Sequence, residues 1–187
     1  GLGYIGTEIC KLYSGVSWHH KIIVIDNRFI SERVSQIRNW NMEFIQGDIL
    51  DKNLIKKYCE DADVVHHLAG VTDVPRTKNE ASSTQDEKIK EVGEKGTQNI
   101  LDVISNKCKI IFPSTHVVYE GIDEVKKNIQ ENEKTKPVLS YSTSKALNED
   151  QLKKSGKNYV ILRLGSVYGY STDSMRIDIM PNLFSKI

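Results

Sequence analysis

The sequence predicts an α/β fold in which parallel strands form a doubly wound sheet with helices between them. Short apolar runs alternate with amphipathic stretches along nearly all of the 187 residues. Several of these runs place β-branched and apolar residues on consecutive positions, which is typical of strands covered on both faces. Because neighbouring parallel strands must be joined by crossover helices, the alternation favours a parallel sheet. The length suits one such domain with a sizeable core.

The individual elements follow from these patterns. Apolar runs predict five strands, at 21–26, 42–46, 63–70, 109–115 and 158–166. Helical spacing predicts helices at 7–15, 28–40, 51–60 and 141–156, with a further long helical stretch ending at 96–107. Residues 120–138 are polar and lack clear periodicity, so we predict a surface loop there. After Gly169 the alternating pattern changes.

Composition excludes several classes of protein. Acidic and basic residues nearly cancel to a net charge of +1 and are scattered, so no footprint for nucleic acid is visible. A small neutral or anionic ligand is the better expectation. The apolar runs are far shorter than the roughly 20 residues of a membrane helix, and no leader resembles a signal peptide. We expect a soluble, cytoplasmic protein with no nucleic-acid or membrane partner.

The cysteines and histidines do not suggest a disulfide framework or a metal centre. Three cysteines, at positions 10, 59 and 108, are far apart and form no C-x-x-C motif, which predicts reduced thiols. Histidines occur in two adjacent pairs, His19–His20 and His66–His67. Adjacent side chains on a strand point to opposite faces and cannot easily share an ion. We therefore predict no metal site.

The chain begins with GLGYIG, a G-x-G-x-x-G pattern. In a dinucleotide-binding unit, glycines at Gly1, Gly3 and Gly6 permit a tight turn, a close backbone approach to pyrophosphate, and packing of helix on strand. The N-terminus of the following helix then faces the negative charge. With twelve glycines in the chain, the motif alone could arise by accident.

Asp26 supports the interpretation of the glycine motif as a dinucleotide-binding turn. It ends an apolar run twenty residues after Gly6, where a carboxylate accepts hydrogen bonds from the adenosine ribose diol. A strand-end turn residue is the alternative interpretation. The same carboxylate would repel a 2′-phosphate, so NAD is favoured over NADP, although Arg28 could partly offset this.

A strand should precede the first glycine of such a turn. The sequence therefore predicts a Rossmann-like doubly wound parallel sheet lacking its first strand. That strand lies at the centre of the sheet, so its neighbours would keep unpaired backbone groups. We expect the isolated 187-residue chain to be poorly stable, and cooperative thermal unfolding at ordinary temperatures would contradict this.

Tyr141 and Lys145 form the candidate catalytic pair. They are four residues apart, which places both on one face of a helix. For a tyrosine to exchange a proton near neutral pH, its pKa must fall from about 10 to about 7, which is roughly 4 kcal/mol. An ammonium about 5 Å away contributes on the order of 3 kcal/mol. Thr115 or Ser114, at a strand end, could hydrogen-bond the same substrate oxygen. A solvated helix face is the alternative meaning of the pair.

Taken together, these motifs resemble the extended short-chain dehydrogenase/reductase family, in its NAD-dependent epimerase/dehydratase branch, which includes UDP-glucose 4-epimerase. The resemblance extends over nearly the whole chain and rests on an ordered set of segments. These are GLGYIG, IDN at 25–27, GDILD at 47–51, HHLAG at 66–70, GTQN at 96–99, PSTHVVY at 113–119, YSTSK at 141–145 and LRLGSVYG at 162–169.

The resemblance implies roles for individual residues. It places Thr115, Tyr141 and Lys145 in catalysis, with Ser114 as a neighbouring candidate, and gives Lys145 a hydrogen bond to the nicotinamide ribose. The cofactor-binding residues it implies are Gly1, Gly3, Tyr4, Ile5, Gly6, Asp26, Asn27, Asp48, Ile49, Leu68, Ala69, Gly70, Lys145 and Ser166. It further implies a nucleotide-sugar substrate and a homodimer that pairs through two helices.

Four features of the chain depart from the family's usual pattern. The family's usual first glycine and preceding strand lie before Gly1, its helix Asn is replaced by Gly93, the Asn before Val-Tyr-Gly is Ser166, and Tyr170 replaces the following Pro. The last two changes put the nicotinamide-side geometry in doubt. By position, residues 1–169 correspond to a dinucleotide-binding domain truncated at its N-terminus. Residues 170–187 then begin a substrate-binding region, and the rest of that C-terminal lobe is expected to be missing.

The residues after Thr115 bear on the reaction. Family 4,6-dehydratases carry Asp-Glu there, whereas this chain has His116 and Val117. This favours epimerisation or carbonyl reduction over dehydration. His116 could hydrogen-bond substrate or have no role. A reductase of a non-sugar carbonyl and a non-catalytic nucleotide-binding protein stay open as alternatives.

Overall fold

The computed structural model describes residues 1–71, 83–171 and 180–185. The predicted substrate-binding region at 170–187 lies partly outside these residues. The chain forms two compact units. The first unit comprises Gly1–Leu54 with Ser166–Ile187, and the second comprises Ile55–Gly165. The segment from Ser166 thus belongs to the first unit.

The first unit is built on a pair of parallel strands. Helix α1 (Tyr4–Tyr13) precedes strand β1 (Ile23–Asp26), and helix α2 (Ser31–Asn39) connects β1 to strand β2 (Glu43–Gln46). The strands pair in parallel with Ile23 opposite Glu43 and Asp26 opposite Gln46. The core of this unit consists of buried apolar residues from both helices and from the strand region, namely Leu2, Cys10, Val24, Val34, Ile37 and Met42.

Hydrogen bonds hold the segment that begins at Ser166 to helix α1. The Tyr4 hydroxyl donates to the carbonyl oxygen of Gly169 at 2.5 Å, and the Ser171 hydroxyl donates to Glu8 at 2.7 Å. Asn182, on the short helix α6 (Met180–Phe184), accepts from the Gly169 backbone N–H at 2.8 Å. Gly169 has a φ of +134°, a backbone conformation that glycine adopts readily and other residues rarely do.

The second unit contains three parallel strands and two long helices. Helix α3 (Lys52–Cys59) crosses into it and is followed by strand β3 (Val64–His66), helix α4 (Ser83–Val103), strand β4 (Lys109–Thr115), helix α5 (Ser140–Lys154) and strand β5 (Asn158–Leu164). The sheet order is β3-β4-β5, with Val64 opposite Lys109 and Thr115 opposite Leu164. Both crossovers run in the same direction along the sheet. Since such connections are almost always right-handed, α4 and α5 are expected on the same face, and the two helices do contact each other.

The prediction of an α/β chain with parallel strands is confirmed. All five predicted strands are present, and β4 has the predicted bounds of 109–115. Within the described residues the strands lie in two separate sheets of two and three strands. No helix in the described residues is both long and apolar enough to cross a membrane.

The expectation that several strands are covered on both faces does not extend to β5 within the described residues. Val160 and Leu162 are 39% and 42% exposed, and Tyr159 is 37% exposed. Side chains alternate along a strand, so Val160 and Leu162 project from the face opposite to α5. Within the described part of the chain, nothing covers that face as closely as the helices cover the other.

Candidate functional site

The glycine turn leads directly into helix α1, as predicted. Gly3 is the N-cap residue of this helix and has no side chain with which to cap it. A Cβ atom at Gly1 would lie 2.4 Å from the carbonyl oxygen of Ile25, so Gly1 permits the turn to press against β1. A Cβ at Gly3 would meet nothing within 4 Å. Open space beside an uncapped helix N-terminus fits the pyrophosphate of a dinucleotide.

Asp26 ends strand β1, and its carboxylate lies beside the glycine turn. One oxygen accepts a hydrogen bond from the Leu2 backbone N–H at 2.7 Å, and the other accepts from the Arg28 N–H at 2.9 Å. A carboxylate has about four lone-pair sites, so it can accept a ribose diol in addition. The residues of this turn therefore fit a bound NAD.

Two more predicted cofactor residues meet at the same edge of the two-stranded sheet. The Asn27 side-chain amide donates to an Asp48 carboxylate oxygen at 3.2 Å. The other Asp48 oxygen accepts from the Leu50 backbone N–H at 2.9 Å. Ile49 lies between these residues in the turn that follows β2, and Ser166, in the same unit, is exposed. In the other unit, Leu68, Ala69 and Gly70 follow the end of β3, and Gly70 is exposed.

Tyr141 and Lys145 lie in the first two turns of helix α5. The Lys145 Nζ atom is 5.9 Å from the centroid of the Tyr141 ring. It donates a hydrogen bond to the Pro113 carbonyl oxygen at 2.8 Å and lies 4.5 Å from the centroid of the Phe112 ring. Pro113 and Phe112 both belong to β4, so the ammonium is held against the strand that ends at Thr115.

Burial lowers the pKa of Lys145 to about 8. The side chain is therefore mostly protonated at neutral pH, because this pKa lies only about one unit above pH 7. The ammonium thus lies near the Tyr141 ring as well as against β4.

His67 packs against Phe112, the ring that Lys145 also contacts, and was not predicted to contribute to the site. It is 2% exposed, and its Nε2 atom is 2.8 Å from the Thr97 hydroxyl oxygen on α4. Burial, together with the positive charge of Lys145, lowers the pKa of His67 to about 3. A neutral imidazole therefore packs near the ammonium and adds no competing charge.

Ser114 and Thr115 point to opposite faces of β4 because they are adjacent on the strand. The Ser114 hydroxyl is buried and donates to the Glu149 carboxylate on α5 at 2.6 Å. The Thr115 hydroxyl accepts from the Val117 backbone N–H at 3.3 Å, where a 3₁₀ turn (His116–Tyr119) begins. The His116 ring nitrogen Nδ1 lies 3.1 Å from the Leu164 carbonyl oxygen.

Two charged residues that were not predicted link these elements. Glu149 is 1% exposed and forms an ion pair with Arg163 on β5. A third charged residue, Glu120, accepts hydrogen bonds from the Val138 and Leu139 backbone N–H groups at 2.8 and 2.7 Å, just before α5 begins. The sequence did carry a signal for Arg163, because it is a charged residue within the apolar run of β5.

The sequence matches the NAD dependent epimerase/dehydratase family over residues 1–187. The chain therefore belongs to that family, and NAD is its cofactor.

Two curated relatives show the range of activities among similar proteins. The chain is 30% identical to the CDP-paratose 2-epimerase of Salmonella typhi over 199 aligned residues, covering 90% of this chain and 56% of the relative. It is 31% identical to the UDP-N-acetyl-alpha-D-glucosaminuronate decarboxylase of Bacillus cytotoxicus over 121 residues, covering 64% of this chain and 36% of the relative.

Among solved structures, the UDP-glucose 4-epimerase from Brucella ovis in complex with NAD is similar to this chain. It superposes with a TM-score of 0.72 at 27% identity, covering 90% of this chain and 51% of that structure. The chain thus spans about half the length of the proteins it resembles.

Proposed function

We propose that the protein is an NAD-dependent nucleotide-sugar epimerase or a related reductase in which Tyr141 exchanges the proton of a substrate hydroxyl. The observation that supports this most is the Lys145 ammonium, held 5.9 Å from the Tyr141 ring centroid and tied to β4. Membership in the NAD-dependent family and the similarity to a 2-epimerase and a 4-epimerase support the substrate class.

In this proposal, the glycine turn and Asp26 would hold NAD, which would supply the acceptor and donor of a hydride at a substrate carbon. Tyr141, as the phenolate, takes the proton of the hydroxyl on that carbon, so that a carbonyl forms, and later gives the proton back. Thr115 donates a hydrogen bond to the same oxygen. Lys145 keeps the phenolate stable while the proton is away.

Two features favour epimerisation or reduction over 4,6-dehydration. His116 and Val117 occupy the positions directly after Thr115, and valine can neither donate nor accept a proton. The exposed His116 ring is oriented by the Leu164 carbonyl, so a single imidazole is available there instead of two carboxyl groups. We also propose that the protein pairs as a homodimer, as the family resemblance implies.

The test is to incubate the purified full-length protein with a panel of UDP-, CDP- and dTDP-sugars and of non-sugar carbonyls, in parallel reactions with NAD and with NADH. Products are analysed by chromatography and NMR while nicotinamide absorbance is followed. An epimerase converts a sugar to its epimer with no net NADH, whereas a reductase consumes NADH in proportion to product. If no sugar reacts but a non-sugar carbonyl consumes NADH, the substrate class is wrong. Absence of any reaction and of any absorbance change would support a non-catalytic protein.

A further inference from the structure

The strongest unassigned feature is a buried charged cluster beside the Tyr141–Lys145 pair. We define the Glu149 cluster as Glu149, Arg163, Ser114 and Tyr119. Glu149 lies on α5 four residues after Lys145, so it occupies the same helix face one turn further on. Its side chain is 1% exposed. A carboxylate at such a depth requires partners for both of its oxygens.

Arg163 and Ser114 supply the closest of those partners, and the Lys153 ammonium on α5 also donates to Oε2 at 3.3 Å. The Arg163 Nε donates to Glu149 Oε1 at 2.9 Å, and its NH2 group donates to Oε2 at 2.6 Å. Such two-point pairing fixes the orientation of both side chains. The Ser114 hydroxyl adds a third hydrogen bond, to Oε1 at 2.6 Å.

Arg163 also links Glu149 to the 3₁₀ turn (His116–Tyr119). Its NH1 group donates to the Tyr119 hydroxyl oxygen and, at 2.9 Å, to the Glu131 carbonyl oxygen. The guanidinium also lies 5.1 Å from the Tyr119 ring centroid. The cluster therefore joins helix α5, the end of β4, strand β5 and the turn that follows Thr115.

Burial alone would raise the pKa of Glu149, but hydrogen bonds from Arg163 and Ser114 and the nearby positive charges bring it below its usual value. The cluster is thus ionised and fully hydrogen-bonded at neutral pH. Loss of one partner leaves the other as an uncompensated buried charge.

We propose that Glu149 is a positioning residue, which holds α5 against β4 so that Tyr141 and Lys145 stay beside the end of the strand that carries Thr115. Ser114, the residue before Thr115, serves the same purpose through its hydrogen bond to Glu149. This assignment rests on the proposed function, since it takes Tyr141 as the proton-exchanging group.

The test compares three variants of the full-length protein. Glu149→Gln removes the charge but keeps the size, and we expect kcat to fall at least tenfold while the dissociation constant for NAD changes less than twofold. The double variant Glu149→Leu with Arg163→Leu removes both charges. We expect it to recover thermal stability without recovering kcat, because a leucine pair cannot hold Ser114 or Tyr119. The control Glu133→Gln breaks an exposed ion pair with Lys126 and should leave kcat unchanged.

Two results would overturn the proposal. One is a double variant whose kcat returns to within twofold of wild type along with its stability, because the cluster would then serve stability alone. The other is a Glu149→Gln variant with unchanged kcat.

A second readout does not depend on turnover. The titration of Lys145 is followed by NMR of isotope-labelled lysine, with its signal assigned by its absence in Lys145→Met. In Glu149→Gln we expect the midpoint to move from about 8 toward the ordinary lysine value of 10.5, as the ammonium becomes hydrated. If the wild-type protein turns over no substrate, the proposed function has failed, and an unchanged midpoint would then overturn the positioning role separately.

Discussion

Burial of the Lys145 ammonium has a cost in folding free energy. Its pKa is about 8 in the folded protein against 10.5 in the unfolded chain. Below pH 8 both states carry the charge, and the folded state bears the full burial penalty of about 3 kcal/mol. Between pH 8 and 10.5 the unfolded state binds more protons, so this penalty shrinks as the pH rises.

Replacing Lys145 with Met should therefore stabilise the protein at neutral pH while abolishing turnover. The gain should be about 2 kcal/mol at pH 7, because the lost hydrogen bond to Pro113 offsets about 1 kcal/mol. It should decline steadily as the pH is raised from 8 to 10. Urea unfolding of both proteins across this range measures the difference. The control Lys90→Met removes an exposed lysine on α4 and should show no such trend, whereas a pH-independent gain for Lys145→Met would contradict the account.

At the residue scale, the sequence predicted the Tyr141–Lys145 pair but could not choose between Ser114 and Thr115. The four-residue separation of Tyr141 and Lys145 can be read from the sequence, because helical periodicity alone places both on one face of a helix. Alternation along β4 does require the two hydroxyls to face opposite ways, but which face meets α5 is a tertiary property. Glu149 was missed for the same reason, since an exposed and a buried glutamate look alike in an amphipathic pattern.

At the scale of elements, the contact between α4 and α5 depends on Gly93. A Cβ atom at this position would lie 2.2 Å from the Ser144 hydroxyl oxygen, which is closer than real atoms approach. The Gly93 carbonyl accepts from the Asn148 side-chain amide at 3.0 Å, so the two helices are in direct contact there. The absence of a side chain at Gly93 thus lets α5 approach α4.

Gly93→Ala should destabilise the protein by about 1–2 kcal/mol, since overpacking outweighs the better helix propensity of alanine. Adding Ser144→Ala removes the clashing oxygen and should restore most of that loss. A double-mutant cycle by urea unfolding measures the coupling between the two positions. Strictly additive effects would show that the two residues do not press on each other.

Sequence patterns predicted the positions of single helices and strands better than they predicted what packs against those elements. All five strands were predicted because β-branched and apolar runs depend only on local sequence, and the 120–138 segment contains no helix or strand, as predicted. Strand β3 is shorter than predicted and ends at His66, although the apolar character continues to Ala69. The exposure of Val160 and Leu162 could not be foreseen, because an apolar run does not reveal what covers it.

At the scale of the whole molecule, the sequence predicted the family and its cofactor from an ordered set of motifs. Single motifs such as GLGYIG recur by chance, whereas eight segments in the expected order rarely do. The division into compact units was not predicted, because it depends on long-range hydrogen bonds such as that from Tyr4 to Gly169. The pairing of strands that are distant in sequence also depends on tertiary contacts, so the division into a two-stranded and a three-stranded sheet was not predicted either.

In the proposed mechanism, Tyr141 moves the proton that accompanies hydride transfer. The most direct test is a single-turnover measurement of nicotinamide reduction after a reactive nucleotide sugar is added to the full-length protein with NAD. We expect Tyr141→Phe to slow the reduction at least a thousandfold, because phenylalanine cannot accept a proton. NAD binding should stay intact, and the Tyr58→Phe control on α3 should behave as wild type. Reduction at the wild-type rate in Tyr141→Phe would contradict the account.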